Sequence, residues 1–199
     1  MSTELIAKKT IEMEDSIISK ISYTDLAVYK FIQEQFENSD VSQNLIFQYV
    51  YCKYYTLDLQ KVDDLFIKGY FELMQSLKGT KNIDMESLLF KVYSIKTNRE
   101  LKFHYSFTSK LAHTIDNNIP IWDSRIAKVF NLNLTSVKDN GVNGDNFCNV
   151  IEILQNKYNK LISENMICST ISKFDSKFGE FKISDVKKID FLFWSLGKL

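Results

Sequence analysis

Proline occurs once in the 199 residues, glycine six times, cysteine three times, and tryptophan and histidine twice each. Each scarcity removes a class of answers. Cys52, Cys148 and Cys168 stand singly, with no C-x-x-C pair, and His104 and His113 are the only imidazoles. A conventional zinc site therefore lacks a ligand set, and no metal is expected. Isolated cysteines in odd number read as buried thiols of a reducing compartment. No run approaches the roughly 18 uninterrupted apolar residues of a membrane span, and "MSTELIAKKTIEMEDS" has no apolar core ahead of a cleavage site. The expectation is a cytoplasmic protein with no membrane partner.

What is present points to packed helices. Apolar residues make up 45% and aromatics 14%, whereas disordered chains are depleted in both. Apolar positions recur at helical spacing from residue 23 onward. Leu26, Tyr29, Phe31 and Ile32 form one stripe. Leu45, Ile46, Tyr49, Val50 and Tyr54 form a second behind an N-cap at Ser42, and Leu59, Val62, Leu65, Phe66, Tyr70, Leu73 and Met74 form a third that Gly79 stops. Further helical stretches follow at "DMESLLFKVYSI", "NRELKFHYSFTSKLAHTI", "DSRIAKVF", "NFCNVIEILQNKYNKLIS", "MICSTISKFDSKF" and "SDVKKIDFLFWSLGK". The last is apolar nearly all round, with Phe191, Phe193 and Trp194 beside Leu192 and Leu196, which predicts a buried helix.

The expected fold is all-α: a single globular domain of about eight or nine helices, with room for two lobes and a cleft. Clustered Asn, Asp and Gly in "SVKDNGVNGDN", residues 136–146, mark a loop and a subdomain break. Tyr49, Tyr51, Tyr54 and Tyr55 exceed what one buried stripe needs, so either some reach the surface or line a cleft, or they pack the two lobes together.

Charge is zero overall but uneven. Residues 1–77 carry 7 Lys against 12 acidic residues, residues 78–128 carry 9 Lys and Arg against 5, and residues 129–199 carry 9 against 8. The basic middle third can concentrate positive potential on one surface, which suits phosphate contacts.

The scarce residues gather in "IPIWDSRIAKVF", residues 119–130, which holds the one proline, one of two tryptophans and one of two arginines. Ser106 caps a helix through Lys110 and His113, "DNN" at 116–118 ends it, and Pro120 forces the preceding residue to be extended. Asp123 then stands where its carboxylate accepts hydrogen bonds from the first amides of the next helix. One account ends there: Asp123 caps, Pro120 stiffens a turn, and Trp122 fills the core. A second account notes that a return of about seven residues, at roughly 3.3 Å each, brings Asp123 back alongside the helix just left. There it faces Lys110, Lys102 or His113, as an anion that stabilises a developing cation beside an amine nucleophile. Arg99 and Lys102, three apart on one helix face, would clamp phosphates.

"SKLAHTIDNNIPIWDSRIAKVF" resembles the segment of helix-hairpin-helix DNA glycosylases in which a helix leads through a Pro-apolar-apolar-Asp turn into another helix, followed by an Arg or Lys. The oxoguanine branch carries "PVD" at this turn and adenine-excising relatives "PILD". The likeness covers residues 98–132. "GYFELM" and "ISDVKKIDFLFWSLGKL" are similar to stretches of small bacterial proteins with an oxoguanine-glycosylase fold. The resemblance implies that Asp123 is the aspartate that stabilises the sugar cation as the base leaves, and that Lys102 or Lys110 supplies the amine of any lyase step. Trp122, His113, Arg99, Arg125 and Ser106 are the candidate substrate-binding residues around them, with ordinary packing or a solvated face as the other reading, and the resemblance makes double-stranded DNA the partner, with no cofactor. The family's Gly-rich hairpin, which holds a phosphate on backbone amides, is replaced by "TNRELKFHYSFT", and no four-cysteine iron–sulfur pattern is present. Two readings stay open: a glycosylase for a damaged or modified base, and a catalytically silent helical module that binds nucleic acid or a protein partner.

Overall fold

The computed structural model describes residues 1–57, 62–132, 134 and 142–199, with backbone alone for 142–145. Among the described residues the protein is all-helical and contains no strand. In chain order the elements are α1 (Thr3–Glu12), α2 (Glu14–Ser19), α3 (Tyr23–Asn38), α4 (Leu45–Tyr54), α5 (Asp64–Ser76), α6 (Met85–Tyr93), α7 (Tyr105–Ile115), α8 (Ser124–Phe130), α9 (Val142–Ser163), α10 (Cys168–Phe178), a 3-10 turn at Gly179–Phe181, and α11 (Asp185–Leu196). The count exceeds the expected eight or nine because α1 and α2 were not legible. The buried stripe of α1 is Thr3, Ile6, Ala7 and Thr10, so half of it is threonine. Thr10 enters the core by donating its hydroxyl to the Ile6 carbonyl at 2.8 Å.

The chain divides into two compact units, one of Met1–Leu26 with Asn117–Leu199 and one of Ala27–Asp116. The break expected within 136–146 is not where the division falls. Residues 136–141 lie outside the described residues, as does Leu59, and 142–146 already belong to α9.

In the first unit α11 is the centre. It packs against α2, α8 and α9, while α1 packs against α2, α9 and α10. The Phe193 ring meets Phe130 at 5.1 Å and Tyr158 at 5.7 Å between centroids, both edge to face. α11 is buried as its composition predicts, but its buried set includes Lys187, Asp190 and Ser195.

In the second unit α5, α6 and α7 pack in succession over an aromatic core. Phe71 meets Phe47, Tyr51 and Tyr70 edge to face at 5.5–5.8 Å. The buried hydroxyls are satisfied in a chain. Tyr70 donates to the Phe107 carbonyl at 2.9 Å and Thr114 donates to the Lys110 carbonyl at 2.8 Å. The Tyr51 oxygen lies 3.2 Å from both hydroxyls, and because both neighbours have committed their protons, Tyr51 donates its single proton to one of them.

The stripe predicted for α4 has the right period and the wrong phase. Leu45, Ile46 and Tyr49 are 75%, 71% and 65% exposed, while Phe47 and Tyr51 are buried, with Tyr55 and Leu57 continuing their side. Burial of two large rings on the opposite face outweighs that of two aliphatic residues. The cap moves as well. Ser42 donates its hydroxyl to Asp40 at 2.6 Å, and Asn44 caps α4 by accepting the Phe47 amide at 3.0 Å.

Candidate functional site around Asp123

Residues 119–123 form an irregular turn, with Pro120 and Ile121 buried and Trp122 and Asp123 half-buried. Asp123 is extended (φ −146°, ψ 175°) and caps α8. Its Oδ1 accepts the Arg125 and Ile126 amides, both at 2.9 Å, as the sequence predicts for a carboxylate at this position. Its Oδ2 makes no hydrogen bond among the described residues. Anchoring one oxygen fixes the plane of the group and leaves the other for a ligand.

The turn is held from α11. Ser184, the N-cap of α11, donates its hydroxyl to the Asn117 carbonyl at 3.1 Å. Two turns on, the Oδ1 of Asp190 accepts the Ile121 amide at 3.4 Å and the Tyr158 hydroxyl at 3.0 Å. Lys187 precedes Asp190 by three residues on the same helix, and each is only 4% exposed. The Lys187 ammonium lies 4.9 Å from the Phe191 ring centroid. Burial pulls the Lys187 ammonium below its usual value, against the fields of Asp190 and Asp123. Burial likewise pushes the Asp190 carboxyl up, opposed by Lys187 and reinforced by Asp123. The Tyr158 hydroxyl is raised by burial and then by Asp190 and Asp123. Asp123 is therefore part of one electrostatic cluster with Lys187, Asp190 and Tyr158.

Sequence reasoning missed the last three. Read as an apolar helix, "SDVKKIDFLFW" hides a Lys and an Asp three apart, which share a helix face. Charged residues on a face that must be buried were the available signal.

Arg125 is half-buried, its guanidinium carbon 4.3 Å from the Trp194 ring centroid. Lys198 places its ammonium 3.3 Å from the same centroid.

The remaining candidates belong to the second unit, and several depart from expectation. Lys110 is buried and does not fill its candidate role as a free amine. It is 7% exposed, donates its ammonium to the Tyr55 carbonyl at 2.9 Å and lies 5.8 Å from the Tyr55 ring centroid. An ammonium held this way is a poor nucleophile. His113 is a core histidine, fully buried, with Nε2 3.2 Å from the Tyr29 hydroxyl. Arg99 and Lys102 are exposed but do not share a helix face, because α7 begins only at Tyr105 and residues 96–104 are irregular. Nor does Ser106 cap α7. The N-cap position is His104, without a side-chain capping bond, and Ser106 sits inside the first turn.

The reason lies in α5. Asp63 caps that helix by accepting the Phe66 amide through Oδ1 at 2.9 Å. Its Oδ2 accepts the Thr97 hydroxyl at 2.9 Å and the Asn98 amide at 2.6 Å, while the Arg99 amide donates to Thr97 Oγ1 at 3.1 Å. These bonds hold 97–99 out of a helix. They also engage the Asn98 and Arg99 amides within the fold. His104, stacked at 5.0 Å on Phe107 and 4.6 Å from Phe66, has its pKa lowered to about 4 by burial and then by the Lys102 charge.

Among the described residues no group of three or more His, Cys, Asp and Glu is arranged to hold a metal ion. The thiols are less buried than expected: Cys168 is exposed, and Cys52 and Cys148 are intermediate. No helix among these residues is long and apolar enough to cross a membrane. Comparison with protein-family models, curated proteins and solved structures gives no match to the chain in any of the three.

Proposed function

We propose that the chain is a glycosylase-type protein that excises a base from DNA through Asp123, without amine-driven strand cleavage. The supporting observation is the Asp123 carboxylate itself. Two α8 amides hold one of its oxygens, which fixes the group in place, and its other oxygen makes no bond within the described residues. Such a group stabilises the positive charge that builds on the sugar as the glycosidic bond breaks; the electron pair leaves with the base, water then adds to the sugar carbon, and the proton it sheds neutralises the departed base. The ammonium of Lys110, committed to the Tyr55 carbonyl, argues against Schiff-base chemistry by that residue.

The test is base release from short duplexes carrying oxoguanine or another modified base, with wild type and Asp123→Asn in parallel. Asn caps a helix about as well as Asp, so the variant keeps its fold. Its release rate should fall by at least tenfold, in line with loss of a transition-state charge contact. Borohydride should trap no covalent adduct. An unchanged release rate in the variant removes Asp123 from the chemistry.

A second reading is a module that binds nucleic acid without excision. The observation favouring it is the Asp63 carboxylate on the Asn98 amide, which leaves that amide engaged within the fold rather than open to a phosphate. Duplex binding with no base release in wild type selects this reading.

A further inference from the structure

Trp194 carries two cations on one indole. Arg125 reaches it from the first turn of α8 and Lys198 from the residue after Gly197, with centroid distances of 4.3 Å and 3.3 Å. Neither has a carboxylate within 4 Å among the described residues.

Their convergence is built into the packing of α8 on α11. A Cβ at Gly197 would stand 2.8 Å from both the Cβ and the carbonyl oxygen of Arg125, so only glycine lets the two backbones approach this closely. Lys128, one turn on from Arg125, crosses the same junction and donates its ammonium to the Gly197 carbonyl at 3.2 Å. Three cationic side chains thus meet at the end of α11.

The arrangement leaves positive charge unanswered. The Lys198 ammonium is held below its usual value by burial, then by Arg125 and Lys20, with Asp25 as the opposing charge in range. Repulsion of this kind, beside a flat aromatic support, is relieved by an anion that accepts from both cations at once. A phosphate does so: its oxygens take the planar fork of an arginine and the point charge of a lysine together.

We propose that Arg125 and Lys198, gathered on Trp194, form a phosphate-binding site that positions a nucleic-acid backbone near Asp123. The inference rests on the reading of the chain as a DNA-binding protein, and it supplies a grip that side chains make where the Asn98 and Arg99 amides are already engaged. Arg125 stands two residues after Asp123 on the same turn, so a phosphate bound there fixes the register of the strand whose sugar Asp123 would serve.

The experiment is duplex-DNA binding followed against salt for wild type, Arg125→Gln, Lys198→Gln and the surface control Lys68→Gln, whose ammonium pairs with Glu72, each first shown to melt as wild type does. Each site variant should bind several-fold more weakly and lose about one unit of salt slope, with the control unchanged. Wild-type binding with all three variants alike overturns this site and leaves the function reading standing. If wild type binds no duplex, that reading fails on its own, and inorganic phosphate then decides the site, read through Trp194 emission in a Trp122→Phe background. A phosphate-dependent change that Arg125→Gln abolishes supports a site for free phosphate; no change overturns it.

Discussion

The Oδ2 of Asp63 accepts the Asn98 amide at 2.6 Å while the Oδ1 of the same side chain caps α5 through Phe66. One carboxylate therefore starts a helix and pins a connection 35 residues later. The two tasks separate by substitution. Asp63→Asn keeps an oxygen for the Phe66 amide but offers an NH2 group where the Asn98 amide and Thr97 hydroxyl need an acceptor. Hydrogen exchange at 97–99 should accelerate while the first turn of α5 keeps its protection, and Asp63→Ala should lose both. Equal exchange at 97–99 in wild type and Asp63→Asn refutes the pinning role.

His104 gives the second unit a pH response. Its pKa is lowered to about 4 in the fold, against an ordinary value of 6.5. Between those limits the unfolded chain binds a proton that the folded chain refuses, so stability falls as pH drops from about 6.5 toward 4. His104→Phe keeps a ring between Phe66 and Phe107 and removes the titration. In urea unfolding at pH 7 and pH 5, wild type should lose more stability than the variant. Parallel losses show that His104 does not carry the effect.

The Lys187 and Asp190 charges should be worth more as a pair than singly. Lys187→Met leaves Asp190 buried beside Asp123 without its opposing cation, at a cost of roughly 3–5 kcal/mol. Asp190→Asn still accepts the Ile121 amide and the Tyr158 hydroxyl, and added to Lys187→Met it removes the stranded charge. The double variant should recover most of the loss. Additive losses in chemical denaturation mean that the two charges do not stabilise one another.

Gly197 and Gly69 make a contrasting pair. An alanine at 197 puts its methyl 2.8 Å from the Arg125 carbonyl, while one at 69 meets the Cγ2 of Ile95 at 2.7 Å. A backbone carbonyl cannot yield without moving α8, whereas a side-chain methyl can turn aside. Gly197→Ala should cost about 1–3 kcal/mol and Gly69→Ala clearly less, by thermal melting. The reverse order would place the tight packing elsewhere.

The predictability of the sequence tracks how much of the information was local. Asp123 was readable as a cap because a carboxylate ahead of an apolar helical pattern needs only its own neighbours. Period, likewise, is local: α4 and α5 were found. Phase is not, and α4 shows why: Leu45, Ile46 and Tyr49 form as good a stripe as Phe47 and Tyr51 until the rings that receive each face are known. The 98–104 stretch was read as helix since nothing in it announces Asp63, 35 positions away from Asn98. Lys187 and Asp190 were hidden by the apolar residues around them.

The division of the chain also orders events in time. Met1–Leu26 belongs with Asn117–Leu199, and the 90 residues of Ala27–Asp116 lie between them. A ribosome adding roughly 5–20 residues per second takes on the order of ten seconds to cross that interval. During it, α1 and α2 have left the exit tunnel with none of α9, α10 or α11 yet made, while α4 to α7 lie wholly within the interval. The middle of the polypeptide completes first during synthesis, and the opening helices wait, apolar side bare, for its last third.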